Sequence, residues 1–242
     1  MNDSLRTLND LNAEIIACRR CPRLVDWREL IARTRKKAFA EWEYWGKPVT
    51  GFGDINGRVL ILGLAPGAHG SNRTGRMFTG DGSGNFLYPA LFSAGFANQP
   101  FAASLDDGLK LNDIFISAVC RCAPPDNKPA KEEISNCCDY LQREMALMMN
   151  LKGIVALGKI AFESSLGLIK EGYEAEWENQ PKFGHDRLYY SKSHPSSSPW
   201  LLASYHPSRQ NTQTGRLTSE MFQAIWEKVR KLLENSKVIT LN

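Results

Sequence analysis

Three stretches of the chain are almost unbroken apolar runs: RVLILGL (Arg58 to Leu64), DIFISAVC (Asp113 to Cys120) and GIVALG (Gly153 to Gly158). Short runs with β-branched residues, bounded by polar segments, predict strands buried on both faces, as in a parallel sheet. Elsewhere apolar residues recur at three-to-four spacing, in FLYPALFSAGF (Phe86 to Phe96), KEEISNCCDYLQREMALMMN (Lys131 to Asn150), KIAFESSLGL (Lys159 to Leu168) and SEMFQAIWEKVRKLLEN (Ser219 to Asn235). That period predicts helices covering the sheet. RLYYSKSH and WLLASYHPS predict two late strands, and Leu5 to about Phe39 predicts an all-helical stretch. The alternation describes one α/β domain over residues 1–242, a three-layer α/β/α sandwich with a central, mostly parallel sheet of about four strands and a helical N-terminal extension over about 1–50.

The segment after the first strand departs from this economy. From Gly63 to Gly84 it holds seven glycines, two arginines, one histidine and a single acid, Asp81. A loop of more than about a dozen residues is uncommon in a compact domain and is usually functional or disordered. Leu64, Pro66, Met77 and Phe78 are interleaved through it, which argues for a folded loop that wraps something. Two more polar, Gly- and Pro-rich loops follow strands: Arg121 to Pro129, and His206 to Gly215. Loops that follow parallel strands share the carboxyl edge of the sheet, where open α/β folds bind their ligands.

Spelling excludes several familiar sites. GIVALGKI places Ile160 where a Walker loop needs a hydroxyl, no GxGxxG follows the first strand, and Ser83 lacks the GxSxG frame of a nucleophile elbow. No apolar run approaches the roughly 20 residues of a membrane span. Met1 to Ala17 lacks the continuous apolar run of a signal peptide, so a cytoplasmic protein with reduced thiols is expected. The net charge of +4 permits a nucleic-acid partner without arguing for one. The basic run in RELIARTRKKAFAEW reads first as a solvated helix face.

Six cysteines then stand out. Cys18 and Cys21 form a CxxC followed by Pro22, and Cys120, Cys122, Cys137 and Cys138 come later. CxxC with two further cysteines in separate elements suits zinc or a four-iron cluster. A zinc ribbon usually offers a second CxxC, so the wide split of the later pair tilts the reading toward iron–sulfur.

Three long motifs, GLAPGAHGSNRTGRMFTGDGSG, RCAPPDNKP with a cysteine 15 positions after its own, and HPSRQNTQTGRLT, together resemble the family 5 uracil-DNA glycosylases. These are an iron–sulfur branch of the uracil-DNA glycosylase superfamily, and the resemblance spans Cys18 to about Thr218. Family 4 carries an acid directly after the first glycine of the first motif, where this chain has Leu64, so the resemblance moves the carboxylate role to Asp81. It implies a uracil-DNA glycosylase-like fold, a [4Fe–4S] cluster on Cys18, Cys21, Cys122 and Cys137, and hydrolysis of the N-glycosidic bond of uracil or other deaminated bases in DNA. The implied site pairs Asp81, on the water and the sugar's positive charge, with His206, on the pyrimidine oxygen. Gly63 and Ala65 would add backbone N–H groups, Phe78 a stacking face, and Asn127 an amide for the base edge. Ser208, Arg209, Asn211, Thr214 and Arg216 would grip phosphates flanking a flipped nucleotide. A monomer acting on DNA in the cytoplasm is expected, without a membrane. A non-catalytic iron–sulfur nucleic-acid-binding protein and an electron-transfer protein remain the other classes.

Overall fold

A computed structural model of the chain describes residues 3–195 and 197–238. Its centre is a six-stranded sheet in the order β1-β3-β2-β4-β6-β5. The strands are β1 (Phe52–Gly53), β2 (Val59–Gly63), β3 (Ile114–Ala118), β4 (Gly153–Leu157), β5 (Arg187–Tyr189) and β6 (Trp200–Ser204). The four inner strands pair in parallel, as the apolar runs predict. The sheet gains two short antiparallel edges, β1 on β3 and β5 on β6, that raise the strand number from four to six. β5 falls within the strand expected at RLYYSKSH, whereas two-residue β1 is too short for any periodicity to announce.

The period of two along each strand builds the layers. In β2, Val59 and Ile61 point into one core with Leu87 and Leu91, while Leu60 and Leu62 point into the other with Leu141 and Phe162. The first core is covered by α4 (Gly84–Ser93) and α8 (Ser219–Val238), the second by α5 (Lys131–Leu147) and α6 (Lys159–Tyr173). In α5 the buried positions 137, 140, 141, 144 and 145 trace one stripe. Burial of an apolar side chain of this size stabilises by roughly 1.5–3 kcal/mol, so both cores are necessary to the sheet.

The N-terminal region contains α1 (Asp3–Ala17), α2 (Pro22–Thr34) and a single 3-10 turn, Lys37–Phe39. It is not a detached appendage. Leu11 and Ile15 of α1 pack on Tyr140 of α5, and the irregular segment after residue 39 closes on the glycine-rich loop. That loop contains α3 (Ser71–Thr74), and the last loop contains α7 (Arg209–Gln213). Among the described residues no helix is long and apolar enough to cross a membrane.

Candidate active site and cysteine pocket

The glycine-rich loop is folded and held from behind. Residues 70–79 are buried throughout. Its two arginines are its staples. Arg73, 4% exposed, donates to the carbonyls of His69 (2.8 Å) and Gly80 (2.8 Å), and its guanidinium lies 4.0 Å over the Phe39 ring and 4.1 Å over the Trp42 ring. Arg76 makes a buried, two-pronged ion pair with Asp107 at 2.8 and 2.6 Å. Backbone bonds from Trp45 to Arg73 (2.9 Å) and from Gly46 to Asn72 (3.0 Å) complete the attachment. Ordering so many groups against one loop fixes what it presents at the sheet edge.

What it presents is Asp81. Oδ1 accepts the backbone N–H groups of Ser83 and Gly84, both at 3.0 Å, so the carboxylate caps the start of α4. Oδ2 has no hydrogen-bond partner among the described residues and faces Gly67 and Gly70. A Cβ on Gly70 would lie 2.0 Å from Oδ2 and 2.7 Å from Cγ; one on Gly67 would lie 3.1 Å from Oδ2. The two glycines are therefore the slot in which the carboxylate sits, a role that no single-residue signal in the sequence assigns to them. Burial raises the Asp81 pKa, against the opposing pull of the Gly84 and Ser83 amides and of Arg73 and Arg209. An acid held in this way keeps one oxygen fixed and leaves the other able to hold water. Gly70→Ala should push the carboxylate aside and lower the rate of base release on the order of 100-fold, as a misplacement of about 1 Å can. Retention of DNA affinity beside that loss, measured by single-turnover excision and titration of an abasic-site duplex, would separate displacement from misfolding.

His206 enters from the end of β6. Its ring is stacked on Phe78, with centroids 5.8 Å apart and planes inclined by 28°. Phe78 has a left-handed backbone (φ 52°) and its ring lies where a Cβ on Gly63 would come within 2.9 Å. Burial lowers the His206 pKa to about 4, so at neutral pH the ring is uncharged and offers one N–H. Among the described residues the backbone amides of Ala65 and Gly67 have no hydrogen-bond acceptor. Phe78, His206 and Gly63 thus meet at the carboxyl edge of the sheet, and the loop that supplies Phe78 also carries Asp81.

The last loop divides its labour differently from the sequence expectation. Asn211, assigned to phosphate, donates from Nδ2 to the His206 carbonyl at 2.8 Å and so anchors that histidine. The Ser208 hydroxyl accepts the Asn211 amide at 3.4 Å, and Thr214 donates to the Gln210 carbonyl at 2.6 Å. Arg216 lies 4.6 Å over the Tyr205 ring. Arg209 is exposed, and its Nε and Cγ pass 3.0 and 3.1 Å from the place of a Cβ on Gly82, which sets its charge beside the Asp81 turn. Asn127 stands exposed at the tip of the loop after β3, at φ 55°, with no side-chain hydrogen bond. His69 bonds the Tyr44 hydroxyl through Nδ1 at 3.1 Å and is turned away to that partner.

The cysteines form a second centre behind the loop. Cys18, at the end of α1, Cys21, at the start of α2, Cys122, after β3, and Cys137, on α5, line one pocket together with Arg121 and Tyr140. Cys120 and Cys138 are not among its walls; Cys120 is buried in the second core and donates to Cys137, which lowers the Cys137 pKa. Arg28 donates to the Cys122 sulfur at 2.9 Å and Asn136 to the Cys21 sulfur at 3.5 Å. Burial pushes the Cys122 thiol up to about 12, so loading with metal would displace protons. Among the described residues no three His, Cys, Asp or Glu side chains close on a point as around one metal ion. Four cysteines that line one cavity, with N–H donors at two of their sulfurs, could hold a metal centre that takes four thiolates.

A sequence profile described as the Uracil DNA glycosylase superfamily matches residues 50–230. The chain is 48% identical over 221 residues to the type-5 uracil-DNA glycosylase of Thermus thermophilus, covering 90% of this chain and 94% of that one. It is 47% identical over 224 residues to the type-5 uracil-DNA glycosylase of Mycobacterium tuberculosis, covering 92% of this chain and 81% of that one. The type-4 uracil-DNA glycosylase of Pyrobaculum aerophilum is 31% identical over 128 residues, 52% of this chain and 57% of that one. The two folded loops around Asp81 and His206 lie inside the matched region, and the chain belongs to the uracil-DNA glycosylase superfamily, in its type-5 group.

Proposed function

We propose that this protein removes uracil from DNA by hydrolysing its N-glycosidic bond, and that the observation carrying the assignment at residue level is the half-free carboxylate of Asp81 on the same loop whose Phe78 stacks on neutral His206. Cleavage places positive charge on the sugar and negative charge on the departing pyrimidine. Asp81 Oδ2, with no donor of its own, holds the attacking water and faces the developing positive charge. The water oxygen bonds to the anomeric carbon, its proton passes to the carboxylate, and the base leaves with the bonding electron pair on its ring nitrogen. His206 and the free amide of Ala65 donate to the pyrimidine oxygen that takes up that charge, as in an oxyanion hole. Burial keeps this imidazole neutral, so its one N–H is free to donate to the charge that develops on the base. Phe78 supplies the apolar face and Asn127 the base-edge amide once DNA closes over the loop.

The four pocket cysteines fit a [4Fe–4S] cluster, which would supply a cross-link among α1, α2, α5 and the loop after β3. Cys18, Cys21, Cys122 and Cys137 would hold it. Incubation with oligonucleotides carrying uracil, hypoxanthine, xanthine or a T mismatch, followed by alkaline cleavage at abasic sites, tests the activity and fixes its breadth. Absence of strand breaks with every substrate would favour a non-catalytic DNA-binding protein.

The last loop offers a separable check. Arg209→Ala should weaken DNA binding uniformly across sequences and flatten the salt dependence by about one unit of slope per lost contact. Arg216→Ala should do the same once Arg216 leaves Tyr205 for a phosphate. His206→Ala should leave the slope unchanged and slow excision by about 10²–10³-fold, the loss typical of one oxyanion donor. Identical salt slopes for wild type and both arginine variants would remove this loop from the DNA interface.

A further inference from the structure

Arg28 lies in the middle of α2 with its side chain 2% exposed. Its Nη1 donates to the Cys122 sulfur at 2.9 Å and its Nη2 to the Cys18 carbonyl at 3.2 Å, while its Nε has no partner. The nearest carboxylate, Glu29, is 3.9 Å away and already engaged by Arg19 at 2.5 Å. A buried guanidinium without a counter-ion is costly, and a neutral thiol is a weak acceptor. The arrangement becomes favourable when the sulfurs around it carry negative charge, as thiolates ligating a cluster do. On its backbone side the same residue reaches the catalytic loop. The Arg28 carbonyl accepts from Asn72 Nδ2 at 3.2 Å, Asn72 is itself buried, and its amide donates to the Gly67 carbonyl at 3.0 Å. Gly67 forms one wall of the Asp81 slot.

We infer that Arg28 is the counter-charge of the cysteine pocket and the positioning residue that ties that pocket to the loop carrying Asp81. This rests on the cluster reading above and adds a reason for the pocket to sit where it does. One residue receives the charge of the metal centre and, through Asn72, holds the slot for the carboxylate. The two halves of the idea separate experimentally, because Asn72 touches only the backbone of Arg28.

Anaerobically purified wild type, Arg28→Met, Arg28→Lys and Asn72→Ala should be compared for iron content, visible absorbance and the rate of iron loss to a chelator. Arg28→Met should lose iron about 10–100-fold faster, the usual effect of removing a group behind a metal ligand. Arg28→Lys keeps the charge and should recover part of that loss. Asn72→Ala should hold iron as wild type does but show faster amide hydrogen exchange over residues 67–80 and a lower excision rate at saturating DNA. Equal iron-loss rates for wild type and Arg28→Met would overturn the counter-charge role. Unchanged exchange over 67–80 in Asn72→Ala would overturn the tie to the loop. If Arg28→Met does not fold, Arg28→Gln, which keeps hydrogen-bond donors but removes the charge, tests the first claim through its iron-loss rate, since loss of the charge without any change would equally refute it. Wild type that holds zinc and no iron would instead defeat the cluster reading itself, and uracil release without iron would leave the glycosylase reading standing.

Discussion

Asp81→Ala should lower the single-turnover rate of uracil release by about 10²–10⁴-fold, the range for a positioned acid–base group, while affinity for DNA stays near wild type. The expectation follows from the slot: Oδ1 is occupied by Ser83 and Gly84, so the side chain contributes to the reaction through Oδ2. Asp81→Asn should fall between, since an amide still orients water but cannot counter positive charge. The pH profile gives an independent reading. Burial raises the Asp81 pKa above the ordinary carboxylate value, so the rate should fall as pH drops through that raised value. His206, its pKa lowered to about 4 by burial, is neutral well above that pH and adds no second limb there. Stability moves the other way. A carboxyl whose folded pKa is raised binds more protons folded than unfolded between the two values, so stability declines as pH rises through that window. At neutral pH the ionised Asp81 therefore costs stability, and Asp81→Asn should raise the midpoint of thermal unfolding. A profile unchanged in Asp81→Asn, with near wild-type rates in Asp81→Ala, would move the carboxylate role to another residue.

The parts of this molecule written in local order were legible in its sequence. Strand alternation in VLILG assigns one side chain to each core in turn, and the stripe 137, 140, 141, 144, 145 on α5 follows from helical period alone. The resemblance of three loop motifs implied one site for Asp81 and His206. Illegible from the sequence were the partners at long separation. Arg73 and Arg76 are only two guanidinium groups in a polar loop until Phe39 and Trp42, some 31 to 34 positions before Arg73, and Asp107, 31 positions after Arg76, enclose them. Asn211 looks like a DNA contact because a short polar loop does not reveal that its amide is directed at the His206 carbonyl. Two-residue β1 carries no period to detect, and Gly67 and Gly70 acquire their meaning only from a carboxylate 11 to 14 positions away. Chemistry-bearing residue types were found; their division into ligands and staples was set by tertiary packing.

Loss of one ligand thiol should cost more than any change at the catalytic edge, because it acts on folding. Protein purified without oxygen should be brown, with broad violet-to-blue absorbance and four irons per chain if a [4Fe–4S] cluster is bound. Cys18 and Cys122 are separated by more than a hundred positions, and Cys122 and Cys137 by 15, so ligation closes loops that otherwise cost chain entropy to close. Where metal ligation is coupled to folding, its free energy is folding free energy, and removing it leaves α1 held on α5 by the packing of Leu11 and Ile15 on Tyr140. Cys122→Ala and Cys137→Ala should therefore lose colour, fall in yield and unfold at markedly lower temperature. Residual folded protein should retain a larger share of its excision rate than Asp81→Ala does. Cys120 and Cys138 provide the contrast, since neither lines the pocket. Cys138→Ala should keep its colour. Cys120→Ala should also keep it, with some loss of stability from the second core. If Cys120→Ala bleaches while Cys122→Ala stays brown, the ligand is two positions earlier than proposed and the hydrogen bond from Arg28 would reach a sulfur that holds no iron. The comparison needs no activity measurement, so it separates the architecture of the metal pocket from the chemistry at Asp81.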